Sequence, residues 1–191
     1  MFVKICGITN REDALAAVDA GARALGFIFY EKSPRAADAA RIAEFIAGIP
    51  NDIWKVGVFV NESPAKIEEV GAQLGLDIAQ LHGAETPDTH PRGLRVWKAF
   101  RVTENRVPDP GYPAEALLLD GPSTGKAFDW PLAAQLSRKV IIAGGLDENN
   151  VRAAIEQAQP WGVDVSSRIE SSPGKKDHAR MKKFIEAALR S

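Results

Sequence analysis

Apolar residues recur along the chain in short, nearly continuous runs separated by longer amphipathic stretches. The runs are Phe2 to Cys6, Ala24 to Phe29, Lys55 to Val60, Asp77 to Leu81, Arg95 to Phe100, Ala116 to Leu119, Lys139 to Ala143 and Gly162 to Ser166. Their density in Val, Ile, Leu and Phe predicts parallel strands covered by helices. Helical periodicity fills most of the gaps. Arg11 to Ala20 follows Asn10, a good N-cap, and ends at Gly21, while Arg41 to Ala47 stops at Gly48. Pro64 to Leu74 opens with Ser63 as cap and proline at its first position, and Gly75 closes it. Asn149 to Ala158 and His178 to Leu189 are amphipathic and rich in alanine.

Two gaps are poor in helix. Thr86 to Gly93 holds two prolines, and Val102 to Glu115 carries Pro108, Pro110 and Pro113. Eight strands with six helices follow. Such alternation implies a parallel α/β sheet. Eight repeats in 191 residues favour closure into a (β/α)8 TIM barrel over an open doubly wound sheet. The expectation is a single barrel domain, 1–191, with helices 4 and 5 short or absent.

Composition narrows the range of partners. With 24 basic and 25 acidic residues there is no net field suited to gripping nucleic acid or a membrane, so a partner belongs in a local pocket. A lone cysteine excludes an internal disulfide framework, and no Cys/His pair has zinc-ligand spacing. The N-terminus lacks a signal-peptide pattern and no apolar run is long enough to cross a bilayer. A cytoplasmic location is the simplest expectation.

The candidate chemistry lies at strand ends. Cys6 ends the first apolar run and Asp120 ends the sixth, and a parallel barrel gathers such ends at one rim, where its active sites lie. Each also has a bland reading: Cys6 as a small buried hydrophobe, Asp120 as a helix cap or loop residue. Strand alternation puts Lys4 on the face of Cys6 and Asp164 on the face of Ser166. Because strands one and eight are neighbours in a closed barrel, a Lys4–Asp164 ion pair is predicted. With Lys98 also pointing inward from strand five, the three would form a polar floor under the site. Gly144-Gly145 follows strand seven and Ser166-Ser167 follows strand eight, where barrels of this class hold phosphate; a plain turn also explains them. Arg35 is solvated unless a carboxylate docks beside it, and His82 is titratable or simply hydrogen-bonded in place. Lys175-Lys176-Asp177-His178 reads as a solvated helix start.

Together these segments resemble the phosphoribosylanthranilate isomerase family. The resemblance is carried by Lys4-Ile5-Cys6-Gly7-Ile8-Thr9, Gly26-Phe27-Ile28-Phe29, Val56-Gly57-Val58-Phe59-Val60-Asn61, Gln80-Leu81-His82-Gly83 and Leu118-Leu119-Asp120. It continues through Gly125-Lys126-Ala127-Phe128-Asp129-Trp130, Gly144-Gly145-Leu146, Val163-Asp164-Val165-Ser166-Ser167 and Pro173-Gly174-Lys175-Lys176-Asp177, in the family's order. The resemblance implies an Amadori rearrangement of N-(5-phosphoribosyl)anthranilate to 1-(2-carboxyphenylamino)-1-deoxyribulose 5-phosphate in tryptophan synthesis. It implies no metal and no organic cofactor, and a small phosphorylated sugar–anthranilate as the substrate; the sequence leaves the oligomeric state open, with a monomer expected over a dimer through barrel loops.

The resemblance further implies Cys6 as general base, Asp120 as general acid, Arg35 on the anthranilate carboxylate, and phosphate at Gly144, Gly145, Ser166 and Ser167. For that chemistry, burial behind Leu117 to Leu119 would raise the Asp120 carboxyl, and a cation such as Lys4 would lower the Cys6 thiol. The chain departs from the family at Arg168, where a small residue is usual, and in a short loop after Asp120. A rival reading is a Schiff-base aldolase working through Lys98. A non-catalytic phosphosugar-binding module is another.

Overall fold

The computed structural model describes residues 1–103, 111–122 and 127–190. Eight parallel strands close into a barrel in chain order. They are β1 (Phe2–Cys6), β2 (Ala24–Ile28), β3 (Trp54–Phe59), β4 (Ile78–Leu81), β5 (Arg95–Arg101), β6 (Ala116–Asp120), β7 (Val140–Ile142) and β8 (Gly162–Val165). The ring closes where β1 pairs with β8, with Lys4 opposite Asp164.

Five α-helices pack outside among the described residues: α1 (Arg11–Ala20), α2 (Ala39–Ile46), α3 (Pro64–Leu74), α4 (Val151–Ala158) and α5 (His178–Leu189). Their ends follow local chemistry. The Asn10 side chain accepts from the Asp13 N–H at the start of α1, and Gly21 at φ +107° ends it in the left-handed region that glycine enters freely. The expected start of α2 at Arg41 moves to Ala39 because the Asp38 side chain accepts from the Ala40 N–H.

Among the described residues the two proline-rich connections carry no α-helix, in line with the expectation that helices 4 and 5 are short or absent. After β4 there is a single three-residue 3-10 turn, Pro87–Thr89. After β5 the described residues contain no helix; 104–110 lie outside them, as do residues 123–126 after β6. Against the six helices expected, five α-helices stand among the described residues, and the remaining connection carries 3-10 helix. The connection before β7 is a six-residue 3-10 segment, Trp130–Gln135, with proline in its first turn. A 3-10 helix rises about 2.0 Å per residue against about 1.5 Å in an α-helix, so few residues suffice to return along a short strand.

Alternation along each strand divides the core into two layers. Val3, Ile5, Leu25, Phe27, Leu117, Leu119, Val163 and Val165 pack outward against the helices. Ala24, Val56, Ile78, Trp97, Ala99, Ala116, Leu118 and Ile141 fill the barrel interior. At the N-terminal end Phe2, Trp54, Trp97 and Trp161 plug the barrel, with Phe2 stacked on Trp161 at 4.3 Å. On β5 the inward residues are thus Trp97 and Ala99, and Lys98 shares a face with outward Leu81 and Leu117. The expectation that Lys98 points inward is therefore wrong. Parity on β1 does not fix parity on β5, because each connection resets it independently. Lys98 instead holds Glu85 at 3.0 Å in the outer layer and donates to the Gly83 carbonyl at 2.7 Å.

Candidate active site

The C-terminal rim is built up from β1. Lys4 is fully buried inside the barrel, and its ammonium lies 2.7 Å from Asp164 on β8, so the predicted pair forms. Burial opposes the charge, yet Asp164 and the Cys6 sulfur beside it hold the Lys4 ammonium above its ordinary pKa. Cys6 stands above this pair and is itself buried. Gly26 on β2 makes room for it: a Cβ there would come within 2.9 Å of Cys6 Sγ and 3.1 Å of Lys4 Cε.

The thiol does not behave as expected from sequence. Burial pushes Cys6 up; Lys4 and, more weakly, Lys176 pull it back while Asp164 adds to the rise, and the net result is a raised thiol. The anticipated lowering by Lys4 is present but outweighed, because desolvation of a fully buried sulfur is the larger effect.

Across the mouth, Asp120 ends β6 with its side chain 23% exposed, so it is less buried than its apolar approach suggested. His82, which follows β4, places Nε2 3.5 Å from Asp120 Oδ2, and its Nδ1 lies 3.2 Å from Nε2 of buried Gln80. Gly144 (φ +82°) is pressed against this carboxyl: a Cβ there would lie 2.7 Å from Asp120 Oδ1. The backbone after β7 can come this close to Asp120 only because Gly144 carries no side chain.

One cavity is lined by Cys6, Arg35, Asp120, Gly144, Gly145, Ser166 and Ser167 together. Every site residue expected from the sequence meets there, joined by Gln80, His82 and Asp164. Ser166 Oγ is buried and has no hydrogen-bond partner among the described residues. Arg168 is exposed at the same mouth. The described residues contain no cluster of His, Cys, Asp or Glu able to hold a metal ion, and no helix among them is long and apolar enough to cross a membrane.

Three site-supporting residues escaped the sequence reading. After Ser167–Ile169 the chain forms a small hairpin, β9 (Glu170–Ser172) with β10 (Lys175–Lys176). Lys176, read as part of a solvated helix start, is buried and lies 2.9 Å from buried Glu170. Buried Asp13 on α1 accepts from the Lys176 N–H at 2.8 Å and meets His178 at 2.8 Å. A Lys-Lys-Asp-His string carries no local signal of burial. Only the hairpin folding back over β8 supplies it.

Residues 3–187 match a family model described as N-(5'phosphoribosyl)anthranilate (PRA) isomerase. A relative from Solibacter usitatus, named N-(5'-phosphoribosyl)anthranilate isomerase, is 52% identical over 197 residues, covering 98% of this chain and 97% of its own. The crystal structure of phosphoribosyl anthranilate isomerase from Thermotoga maritima superposes with a TM-score of 0.90 at 39% identity, over 100% of both chains. Another solved phosphoribosyl anthranilate isomerase, in complex with reduced 1-(o-carboxyphenylamino)-1-deoxyribulose 5-phosphate, gives a TM-score of 0.91 at 40% identity, again over 100% of both chains.

Proposed function

The chain belongs to the N-(5'-phosphoribosyl)anthranilate isomerase family and is an isomerase of tryptophan biosynthesis, and from that premise we propose that Cys6 is its general base and Asp120 its general acid. The observation that carries this reading is that a buried thiol over a lysine and a carboxyl beside a histidine line one cavity at the barrel rim. The substrate is N-(5'-phosphoribosyl)anthranilate and the product 1-(2-carboxyphenylamino)-1-deoxyribulose 5-phosphate. The reduced product in the related complex supports a ligand of that shape.

In the first step Asp120 protonates the furanose ring oxygen. The C1–O bond breaks as the anilino nitrogen lone pair forms the C1=N iminium. The Cys6 thiolate then takes the C2 proton, the C2–H electron pair forms C1=C2, and the C1=N π pair returns to nitrogen to give an enaminol. Loss of the C2 hydroxyl proton and protonation at C1 yield the ketone. C1 is reduced and C2 oxidised by the same two electrons, so the balance closes within the substrate. His82, steadied by Gln80, gives the Asp120 carboxyl a fixed neighbour while its proton leaves. Lys4 and Lys176 stabilise the thiolate against the cost of its burial.

Phosphate is assigned to the loops after β7 and β8. Ser166 Oγ, without a hydrogen-bond partner among the described residues, and the left-handed turns at Gly144 and Gly145 (φ +82° and +70°) support that placement. Arg35 is assigned to the anthranilate carboxylate. The Schiff-base alternative loses its group, since Lys98 is turned away from the barrel interior and occupied by Glu85. Cys6→Ser and Asp120→Asn are each expected to lower kcat by roughly 10²–10⁴ with little change in substrate affinity. The wild-type gene should rescue a bacterial tryptophan auxotroph lacking the isomerase, and the two variants should not. Full kcat in either variant removes that residue from the mechanism.

A further inference from the structure

Arg35 does not stand alone at the cavity edge. Its Nε donates to both Glu170 oxygens, at 2.8 and 3.0 Å, and its Nη2 donates to Oε2 at 2.7 Å. The Glu170 side chain is 4% exposed and is fixed from its other side by Lys176 Nζ at 2.9 Å and the Gly174 N–H at 3.4 Å. Lys176 Nζ in turn donates to the Ser166 carbonyl at 3.3 Å. A continuous chain of contacts therefore runs from the loop after β8, through β10 and β9, to the arginine after β2.

Two features of this cluster bear on a ligand. The fork uses the Nε–Nη2 edge of the guanidinium, leaving Nη1 unengaged among the described residues. The Glu170 carboxylate is also shared between two cations, Arg35 and Lys176. Lys176 has a fully buried side chain and cannot reach a ligand, whereas Arg35 is 17% exposed and lines the cavity. A shared carboxylate leaves positive charge on Arg35, presented at its Nη1 edge, which suits a ligand carboxylate.

We propose that Glu170 is a positioning residue that aims Arg35 at the aromatic carboxylate of the substrate, and so sets the preference for a carboxylated aniline over an uncarboxylated one. This rests on the assignment of Arg35 made above. Without Glu170 the long arginine side chain regains rotamer freedom, and its buried stem edge loses both acceptors.

The test compares inhibition by two stable ligands: the reduced product analogue carrying the carboxylate, and the same compound made from aniline. Glu170→Gln is expected to weaken the carboxylated ligand about 10- to 100-fold while the aniline ligand changes less than about twofold. Equal weakening of both ligands, or of neither, overturns the proposal. Should Glu170→Gln fail to fold, Glu170→Gln/Lys176→Met keeps the cluster's net charge, and the same selective loss is expected of it. Arg35→Met checks the underlying assignment separately. If that variant binds both ligands as the parent does, Arg35 is not the carboxylate partner, whatever Glu170 variants do.

Discussion

Replacing Lys4 by methionine should damage stability and alter the thiol in ways that can be worked from the barrel interior. The ammonium is fully buried and 2.7 Å from Asp164, whose side chain is 11% exposed. Removing one partner of a buried pair leaves an uncompensated charge and costs about 3–5 kcal/mol. Asp164 faces the cavity, where water can reach its orphaned carboxylate, so the lower end of that range is expected. At about 2–4 °C per kcal/mol for a chain of this length, Tm should fall by roughly 6–12 °C. Lys4→Met/Asp164→Asn removes the orphaned charge and should recover more than half of the loss, giving a strongly non-additive cycle. The thiol reports independently. Lys4 pulls the Cys6 pKa down and Asp164 pushes it up, so the thiolate absorbance midpoint should rise in Lys4→Met and fall back in the double variant. Calorimetry and a pH titration at 240 nm check both expectations. A single variant melting within about 1 °C of the parent, or a thiolate midpoint that does not rise, would refute the reasoning.

Further outcomes follow from the same geometry. Gly26→Ala puts a methyl 2.9 Å from Cys6 Sγ, so kcat should fall by at least about tenfold, measured by the fluorescence change on turnover, because a displacement of about 1 Å is costly in catalysis. Trp97→Ala empties the fully buried centre of the aromatic plug and should cost about 3–5 kcal/mol in a urea melt, with the loss falling on stability rather than on KM. Burial alone would raise Glu170, but Arg35 and Lys176 hold its carboxyl below the ordinary range. Its contribution to stability is therefore present above the unfolded-state pKa and is lost as pH falls through the folded one. Between about pH 5 and pH 3 the parent's Tm should fall more steeply than that of Glu170→Gln; parallel curves would contradict the pairing.

The local patterns in the chain determined the strand and helix order, because caps such as Asn10, Ser63 and Gly21 and the strand alternation act within a few residues. They also determined that Cys6 and Asp120 share a rim, since parallel closure brings every strand's C-terminal end to one side. The Lys4–Asp164 pair was legible for the same reason: β1 and β8 must be neighbours in a closed ring, and parity within each strand is local. Three matters were decided only by the tertiary structure. Lys98 faces outward because each loop resets the parity of the next strand. Lys176 is buried because a hairpin that local propensity does not announce folds over β8 and brings Glu170 to Arg35. The Cys6 thiol is raised because its pKa is a balance of burial against charges from β1, β8 and β10, and the sign of such a balance depends on depth and distance that no sequence spacing encodes.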